Sequence, residues 1–98
     1  MGYILKRNYK KTLTYFKKAI KSDSTYVKAY FKIGYCYEVL NQYKKSIEFF
    51  KKAIKIDPEL PIAHFTLGVA YYFTGNKKGI MKEYNILKNL IKILLNNY

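Results

Sequence analysis

The chain has few of the residues that chemical function usually requires. Its 98 residues include one cysteine, one histidine and six acidic residues, and no tryptophan. A single cysteine, Cys36, can form neither an intramolecular disulfide nor a zinc site of the Cys-x-x-Cys type, so we interpret it as a small buried thiol. No apolar run reaches the roughly 20 residues that a membrane-spanning helix needs, and the first residues lack a signal-peptide pattern. These absences predict a cytoplasmic protein.

The scarcity of carboxyl and imidazole groups also argues against catalysis. Asp23 and Asp57 fall in equivalent predicted turns, and the glutamates are scattered over predicted helices, so no pair is placed for acid–base chemistry. His64 is the only histidine and falls at a helix-packing position, which favours a partly buried structural role. The sequence contains no glycine-rich phosphate loop and no nucleophile–histidine arrangement. We predict a protein that is not an enzyme and needs no cofactor or metal ion.

Arginine is nearly absent, although the chain is strongly basic. Nineteen lysines and arginines against six acidic residues give a formal net charge of +13, and Arg7 is the only arginine. A surface of this charge attracts acidic partners. Reading of bases in nucleic acid relies on the bidentate fork of arginine, so the composition disfavours nucleic acid as a specific partner.

What the chain does contain is a repeat with a period of 34 residues. Residues 9–11 (YKK) recur as residues 43–45, and residues 16–21 (FKKAIK) recur as residues 50–55. Within the unit, large apolar residues three or four positions apart indicate two amphipathic helices. The break between them, Asn41-Gln42, is so short that the helices must be antiparallel neighbours. A period of this size is typical of stacked helix pairs.

Local signals place the individual helices. They predict helices over residues 26–40, 43–56, 61–74 and 77–96, with Gly75-Asn76 as a left-handed terminator before the last one. Residues 1–7 are predicted to end one helix and Asn8 to cap the next, over residues 9–21. The chain would then be a fragment of a longer array, or begin where a longer homologue continues. Gly34 and Gly68 fall in mid-helix, where glycine costs about 1 kcal/mol relative to alanine, so we expect the backbone of another helix to approach closely there.

The residues at fixed places in the unit resemble the signature of the tetratricopeptide repeat family. Those places are filled by Tyr30, Ile33-Gly34, Tyr37, Ser46, Phe50, Ala53 and Pro58. The resemblance covers nearly the whole chain and implies an all-α fold, a right-handed α-solenoid of stacked antiparallel helix pairs. We expect one domain of about two and a half to three repeats: a partial first repeat over 1–24, a second over 25–58, and a third over 59–98 that runs into a long capping helix.

The resemblance also implies a protein-interaction scaffold. In this family the first helix of each pair lines a concave groove that holds a peptide or protein segment. The corresponding residues here are Lys28, Phe31, Lys32, Tyr35, Glu38, Ile62, Phe65, Thr66, Val69 and Tyr72. They are largely aromatic and aliphatic, so we expect a protein or peptide ligand that docks through apolar side chains and has some acidic character. Lys28 and Lys32 resemble part of a carboxylate clamp, but Tyr35 and Val69 stand in place of its asparagines, which disfavours that mode.

Two other roles remain open at this level. The second helices carry a regular set of lysines on the convex side, either a solvated face or a nonspecific contact for nucleic acid or an anionic surface: Lys10, Lys11, Lys17, Lys18, Lys21, Lys44, Lys45, Lys51, Lys52 and Lys55. The last helix has an apolar stripe wider than one neighbour covers. It is predicted to cap the stack, to have lost a downstream repeat, or to form a homodimer through Ile86, Leu90, Ile93 and Leu94.

Overall fold

Five helices joined by short turns make up the described part of the chain. The computed structural model describes residues 2–96, with side chains from residue 8 onward. The helices are α1 (Gly2–Ser22), α2 (Val27–Val39), α3 (Tyr43–Ile56), α4 (Pro61–Thr74) and α5 (Lys77–Asn96). Residues 2–96 contain no strand. The predicted all-α class is therefore confirmed, and α2 to α5 begin and end within one residue of their predicted bounds.

The first helix differs from the sequence prediction. α1 passes through Asn8 without a break, and the Asn8 carbonyl accepts a hydrogen bond from the Thr12 hydroxyl at 2.9 Å. The predicted cap at Asn8 is wrong because asparagine disfavours a helix interior by less than about 1 kcal/mol, and no glycine or proline stands beside it to end the helix. The side chains of residues 1–7, which the prediction assigned to a preceding helix, lie outside the described residues.

The helices are arranged in two layers. Each helix packs against the next one along the chain, and α2 also contacts α4, whereas α1, α3 and α5 do not contact one another within residues 2–96. α2 and α4 therefore form the inner layer of a right-handed α-solenoid, and α1, α3 and α5 form the outer layer. Across the same residues, no helix is both long and apolar enough to cross a membrane.

The two core clusters are copies of one another at a shift of 34 residues. The first lies between α1 and α2 and includes Leu13, Phe16, Ile20, Ile33, Cys36 and Tyr37. The second lies between α3 and α4 and includes Ile47, Phe50, Ile54, Leu67, Ala70 and Tyr71. Each member of the second set stands 34 positions after a member of the first. The sequence repeat is thus also a repeat of tertiary contacts, with Phe16 and Phe50 in equivalent surroundings.

An aromatic ring lies against the backbone of α2 at Gly34. A Cβ atom at this position would be 2.7 Å from two ring carbons of Phe50, and Phe50 is fully buried. Gly34 does have a close neighbour, but it is the side chain of Phe50 and not the predicted helix backbone. The same prediction is wrong at Gly68, where the nearest atom, Cβ of Glu83, would be at an ordinary 3.6 Å. Gly75 adopts a φ of +75° and ends α4 in the predicted left-handed conformation.

Candidate peptide-binding surface

An apolar stripe runs along the solvent-exposed side of α4. Ile62, Phe65, Val69 and Tyr72 are spaced three or four residues apart, which places them on one face of the helix. Ile62 is 48% exposed, Phe65 57% and Tyr72 70%, while Val69 is half-buried. Because contiguous apolar side chains are rarely left in water without a function, this stripe is a candidate contact surface.

The equivalent stripe on α2 lies beside it and is more polar. Lys28, Phe31, Tyr35 and Glu38 precede the four α4 residues by 34 positions each. Tyr35 is exposed and meets the ring of Tyr9 edge to face, with centroids 6.3 Å apart. Since α2 and α4 are in contact, the two stripes form one surface. We call it the inner face, with Lys32 at its border: Lys28, Phe31, Lys32, Tyr35, Glu38, Ile62, Phe65, Val69 and Tyr72.

Two of the predicted groove residues also serve the packing of the stack. Phe31 is half-buried and its ring centroid is 5.9 Å from that of Phe50 in the second core cluster. Thr66 is buried, and its hydroxyl donates to the carbonyls of Ile62 and Ala63 at 2.9 and 3.1 Å. The prediction of Thr66 as a groove residue is wrong. At the equivalent position Lys32 has a side chain long enough to reach the surface, and the short threonine does not.

Glu38 brings an unsatisfied acceptor to one end of the inner face. Its Oε2 atom is buried and has no hydrogen-bond partner among the described residues. Burial raises the pKa of the Glu38 carboxyl above its ordinary value. A buried acceptor without a donor is costly, so this carboxyl is a locally unfavourable feature of the fold.

A buried polar pair between α4 and α5 was not anticipated from the sequence. His64 and Glu83 are only 3% and 4% exposed, and Nδ1 of His64 lies 2.5 Å from Oε2 of Glu83. Nε2 of His64 is 2.6 Å from the Pro58 carbonyl, which can only accept, so Nε2 carries a proton. Both ring nitrogens of His64 thus have a polar partner inside the protein.

The preceding repeat contains the aromatic counterpart of this pair. The Tyr30 hydroxyl donates to the Ser24 carbonyl at 3.0 Å, and the Tyr30 ring stacks on Phe49 with centroids 6.5 Å apart. Shifted by 34, these three residues become His64, Pro58 and Glu83. The predicted structural role of His64 is thus confirmed, with fuller burial than expected. The prediction that the glutamates are merely scattered is wrong for Glu83. The available signal was that two equivalent positions change together, from Tyr30 to His64 and from Phe49 to Glu83.

The residues predicted for self-association are divided between two environments. Ile86 and Leu90 are half-buried, and Ile93 and Leu94 are exposed. A small cavity of about 160 Å³ lies beside them. It is lined by Leu90, Ile93 and Leu94, by Pro61 at the start of α4 and by Glu59 in the turn before it. Part of this set therefore faces the body of the stack, and its role in forming a homodimer stays a prediction.

Comparison with known proteins agrees with the geometry. The sequence profile of the tetratricopeptide repeat matches residues 27–60, which are α2, α3 and the adjoining turns. No curated protein sequence matches the chain. MamA, for which a crystal structure is known, is 25% identical to this chain in sequence. The two structures align with a TM-score of 0.83, and the match covers 86% of this chain and 49% of MamA. MamA from Desulfovibrio magneticus RS-1 is also 25% identical, with a TM-score of 0.83 over 93% of this chain and 52% of that one.

A third structural neighbour shares the fold at lower identity. The type III secretion translocator chaperone SycD of Yersinia enterocolitica is 17% identical, with a TM-score of 0.82 over 86% of this chain and 58% of that one. The chain therefore spans about half the length of these structures. At this identity the likeness to SycD is evidence of a common fold alone.

Proposed function

We propose that the chain, whose residues 27–60 match the profile of the tetratricopeptide repeat, is a protein-interaction scaffold that binds a peptide or protein segment on its inner face. The observation that carries the proposal is the exposed apolar stripe of α4, in particular Ile62, Phe65 and Tyr72. These three side chains are exposed and belong to neither core cluster of the described residues. Their burial by a ligand would stabilise a complex by roughly 1.5–3 kcal/mol for each large side chain that becomes fully covered.

The chemistry of the inner face indicates what kind of segment would bind. Apolar side chains of the bound segment would pack on the α4 stripe and against Tyr35. Lys28 and Lys32, in the first half of α2, would favour a carboxylate of that segment. Glu38, a half-buried acidic residue, stands at the other end of the α2 stripe. We therefore expect an apolar segment with at least one acidic residue, held in one direction by the unequal ends of the α2 stripe.

Several convex lysines have a structural explanation that weakens the electrostatic alternative. The ammonium groups of Lys17 and Lys45 lie 5.3 and 5.4 Å from the ring centroid of Tyr37. Lys51 lies 5.9 Å from that of Tyr71, the equivalent of the Lys17 contact in the next repeat, and Lys52 lies 4.7 Å from that of Phe49. Cation–π contacts of this kind stabilise a folded surface without any anionic partner.

The proposal is tested by comparing two double variants with the unmodified protein. In Tyr35→Ala with Tyr72→Ala, two exposed rings of the inner face are removed. The control, Lys18→Ala with Lys55→Ala, removes two exposed charges of the outer layer. Partners captured by the unmodified protein are identified by mass spectrometry, and each purified partner is titrated calorimetrically against all three proteins.

We expect the tyrosine variant to bind its partner about 30-fold more weakly, from a loss of about 1 kcal/mol for each ring. The lysine variant should bind within about threefold of the unmodified protein, since exposed charges contribute little to affinity. The reverse ranking would support nonspecific binding of nucleic acid or an anionic surface instead. Retention on heparin that disappears at moderate salt would accompany that result.

A further inference from the structure

A shallow cleft lies where the turn between α2 and α3 meets the end of α4. It has a volume of about 410 Å³ and is lined by residues 41–45 and by Thr74; we call it the turn cleft. The backbone N–H groups of Asn41 and Gln42 donate to carbonyls of α2 at 2.9 and 2.8 Å. The Tyr43 hydroxyl donates to the side-chain oxygen of Asn41 at 2.9 Å. One wall of the cleft is therefore preformed, which lowers the cost of ordering it around a ligand.

Two stacked aromatic rings adjoin the turn cleft. The ring of Tyr43 lies parallel to that of Phe73, with centroids 4.7 Å apart and an angle of 8° between the planes. Among the described residues, neither ring belongs to a core cluster, whereas Tyr9, the equivalent of Tyr43, packs against the first cluster. Phe73 is 55% exposed. The stack can therefore be extended by an aromatic ring of a ligand.

The position of the cleft within the stack shows whether another helix of the solenoid would cover it. α3 packs between α2 and α4, and α4 packs between α3 and α5, so both walls already have their neighbours. The equivalent of Phe73 one repeat earlier is Val39, which is 39% exposed although the pair α4 and α5 follows it. A helix pair placed after α5 in the same way would leave Phe73 in contact with solvent.

One ammonium group at the turn cleft has no acidic partner among the described residues. Lys44 is exposed and forms no ion pair with them. Glu48, one turn further along α3, is instead paired with Lys52 at 3.4 Å. Lys45 differs from Lys44, because its ammonium group lies 5.4 Å from the ring centroid of Tyr37. The cleft therefore offers one available cation, at Lys44, to a carboxylate of a ligand.

This combination fits a peptide better than a nucleic acid or a second copy of the chain. Single-stranded nucleic acid binds in a basic groove that follows several phosphates, and the turn cleft has one available ammonium group. Two copies of the chain would each carry a net charge of +13, and like charges oppose association. One exposed ring and one cation match an aromatic residue next to an acidic one.

We infer that the turn cleft is a second binding site, which takes an acidic aromatic segment of another protein. An aromatic side chain of that segment stacks on Phe73, and a neighbouring carboxylate pairs with Lys44. The cleft adjoins the inner face, because Tyr72 meets Phe73 edge to face with centroids 5.5 Å apart. Binding in the cleft does not use the α2 stripe, so it does not depend on the function proposed above.

The test uses three short peptides as probes of the isotope-labelled full chain in nuclear magnetic resonance titrations. Acetyl-Phe-Asp-Phe-amide has both features, acetyl-Phe-Lys-Phe-amide reverses the charge, and acetyl-Ala-Asp-Ala-amide lacks the rings. Backbone amide shifts locate each peptide on the protein, and their concentration dependence gives its Kd.

Three variants of the protein are titrated beside the unmodified chain. Phe73→Val copies Val39 of the preceding repeat, and Lys44→Glu reverses the available charge. Lys55→Glu is the control, because Lys55 is also exposed and lies on the same side of α3, about 16 Å further along the helix. That separation exceeds the Debye length at physiological salt, so the control charge is largely screened from the cleft.

We expect the Phe-Asp-Phe peptide to shift the amides of residues 41–45 and 72–75, and to bind at least about fivefold more tightly than either comparison peptide. Phe73→Val and Lys44→Glu should each weaken its binding by about fivefold or more, and Lys55→Glu by less than about twofold. Tyr35→Ala, which removes a ring of the inner face, should leave its binding unchanged. A failure of this inference can thus be distinguished from a failure of the inner-face proposal.

Several results would overturn the inference. No shifts, shifts confined to other residues, or equal binding of the aspartate and lysine peptides would show that the cleft does not select an acidic aromatic segment. Equal effects of Lys44→Glu and Lys55→Glu would mean that only net charge matters. An oligodeoxythymidine that binds more tightly than the peptide and shifts the same amides would identify nucleic acid as the occupant. A dimer that Phe73→Val converts to a monomer in light scattering would identify a second copy.

Discussion

Replacing Gly34 and Gly68 by alanine, one at a time, should change stability in opposite directions. The two glycines occupy the same position of the repeat, in α2 and α4. Helix propensity alone favours both replacements by about 1 kcal/mol. Packing distinguishes them, because a Cβ atom at Gly34 would meet the Phe50 ring at 2.7 Å and one at Gly68 would meet only Glu83, at 3.6 Å.

The magnitude follows from the space at each site. Gly68→Ala keeps the whole propensity gain, so we expect it to stabilise the fold by about 1 kcal/mol. At Gly34 the ring cannot move aside cheaply, since Phe50 is fully buried among Phe31, Leu67 and Tyr71. Overpacking of this kind costs about 1–3 kcal/mol, which exceeds the gain and leaves a net loss of about 1 kcal/mol. The two variants should therefore differ by about 2 kcal/mol, or roughly 8–16 °C in Tm.

Thermal and urea unfolding followed by far-ultraviolet circular dichroism would measure this difference. Urea slopes should be compared as well, because stacked repeats can lose cooperativity when one interface is weakened. Combining Gly34→Ala with Phe50→Leu should relieve the clash, so that Gly34→Ala costs less in that background than alone. Two shifts of the same sign, or an equal cost of Gly34→Ala in both backgrounds, would refute the packing explanation.

Two further predictions concern the buried carboxyl groups. Glu83→Ala should destabilise the protein by about 1–3 kcal/mol, because it leaves His64 Nδ1 buried without a partner; His64→Tyr with Glu83→Phe, which copies the Tyr30–Phe49 pair, should recover most of that loss in urea unfolding, and no recovery would contradict the equivalence. Glu38→Gln should stabilise the fold near neutral pH and have little effect in acid. Burial raises the pKa of the Glu38 carboxyl in the folded state. The stability of the unmodified protein therefore falls as the pH rises from the ordinary pKa of this carboxyl through its raised pKa. A benefit that does not depend on pH would show that ionisation of Glu38 is not its source.

The candidate surface was only partly predictable from the sequence. Helical periodicity identified the stripes of α2 and α4, because residues three and four apart share a face wherever a helix forms. It could not predict that Thr66 is buried while Lys32, its equivalent in the repeat, is half-buried. That difference depends on whether the side chain is long enough to reach the surface. The His64–Glu83 pair also escaped prediction because its members lie 19 residues apart on different helices.

The sequence by itself determined the period, the helix bounds after residue 22 and the all-α class. These depend on local signals: apolar spacing, the short break at Asn41-Gln42, and the left-handed turn at Gly75. Only the tertiary structure decided which equivalent residues are covered. Phe50 and Tyr84 occupy the same position of the repeat, yet one is fully buried and the other is 57% exposed. The reason is physical: burial of a helix face requires a neighbouring helix, and a repeat pattern alone does not state which faces have one within the described residues.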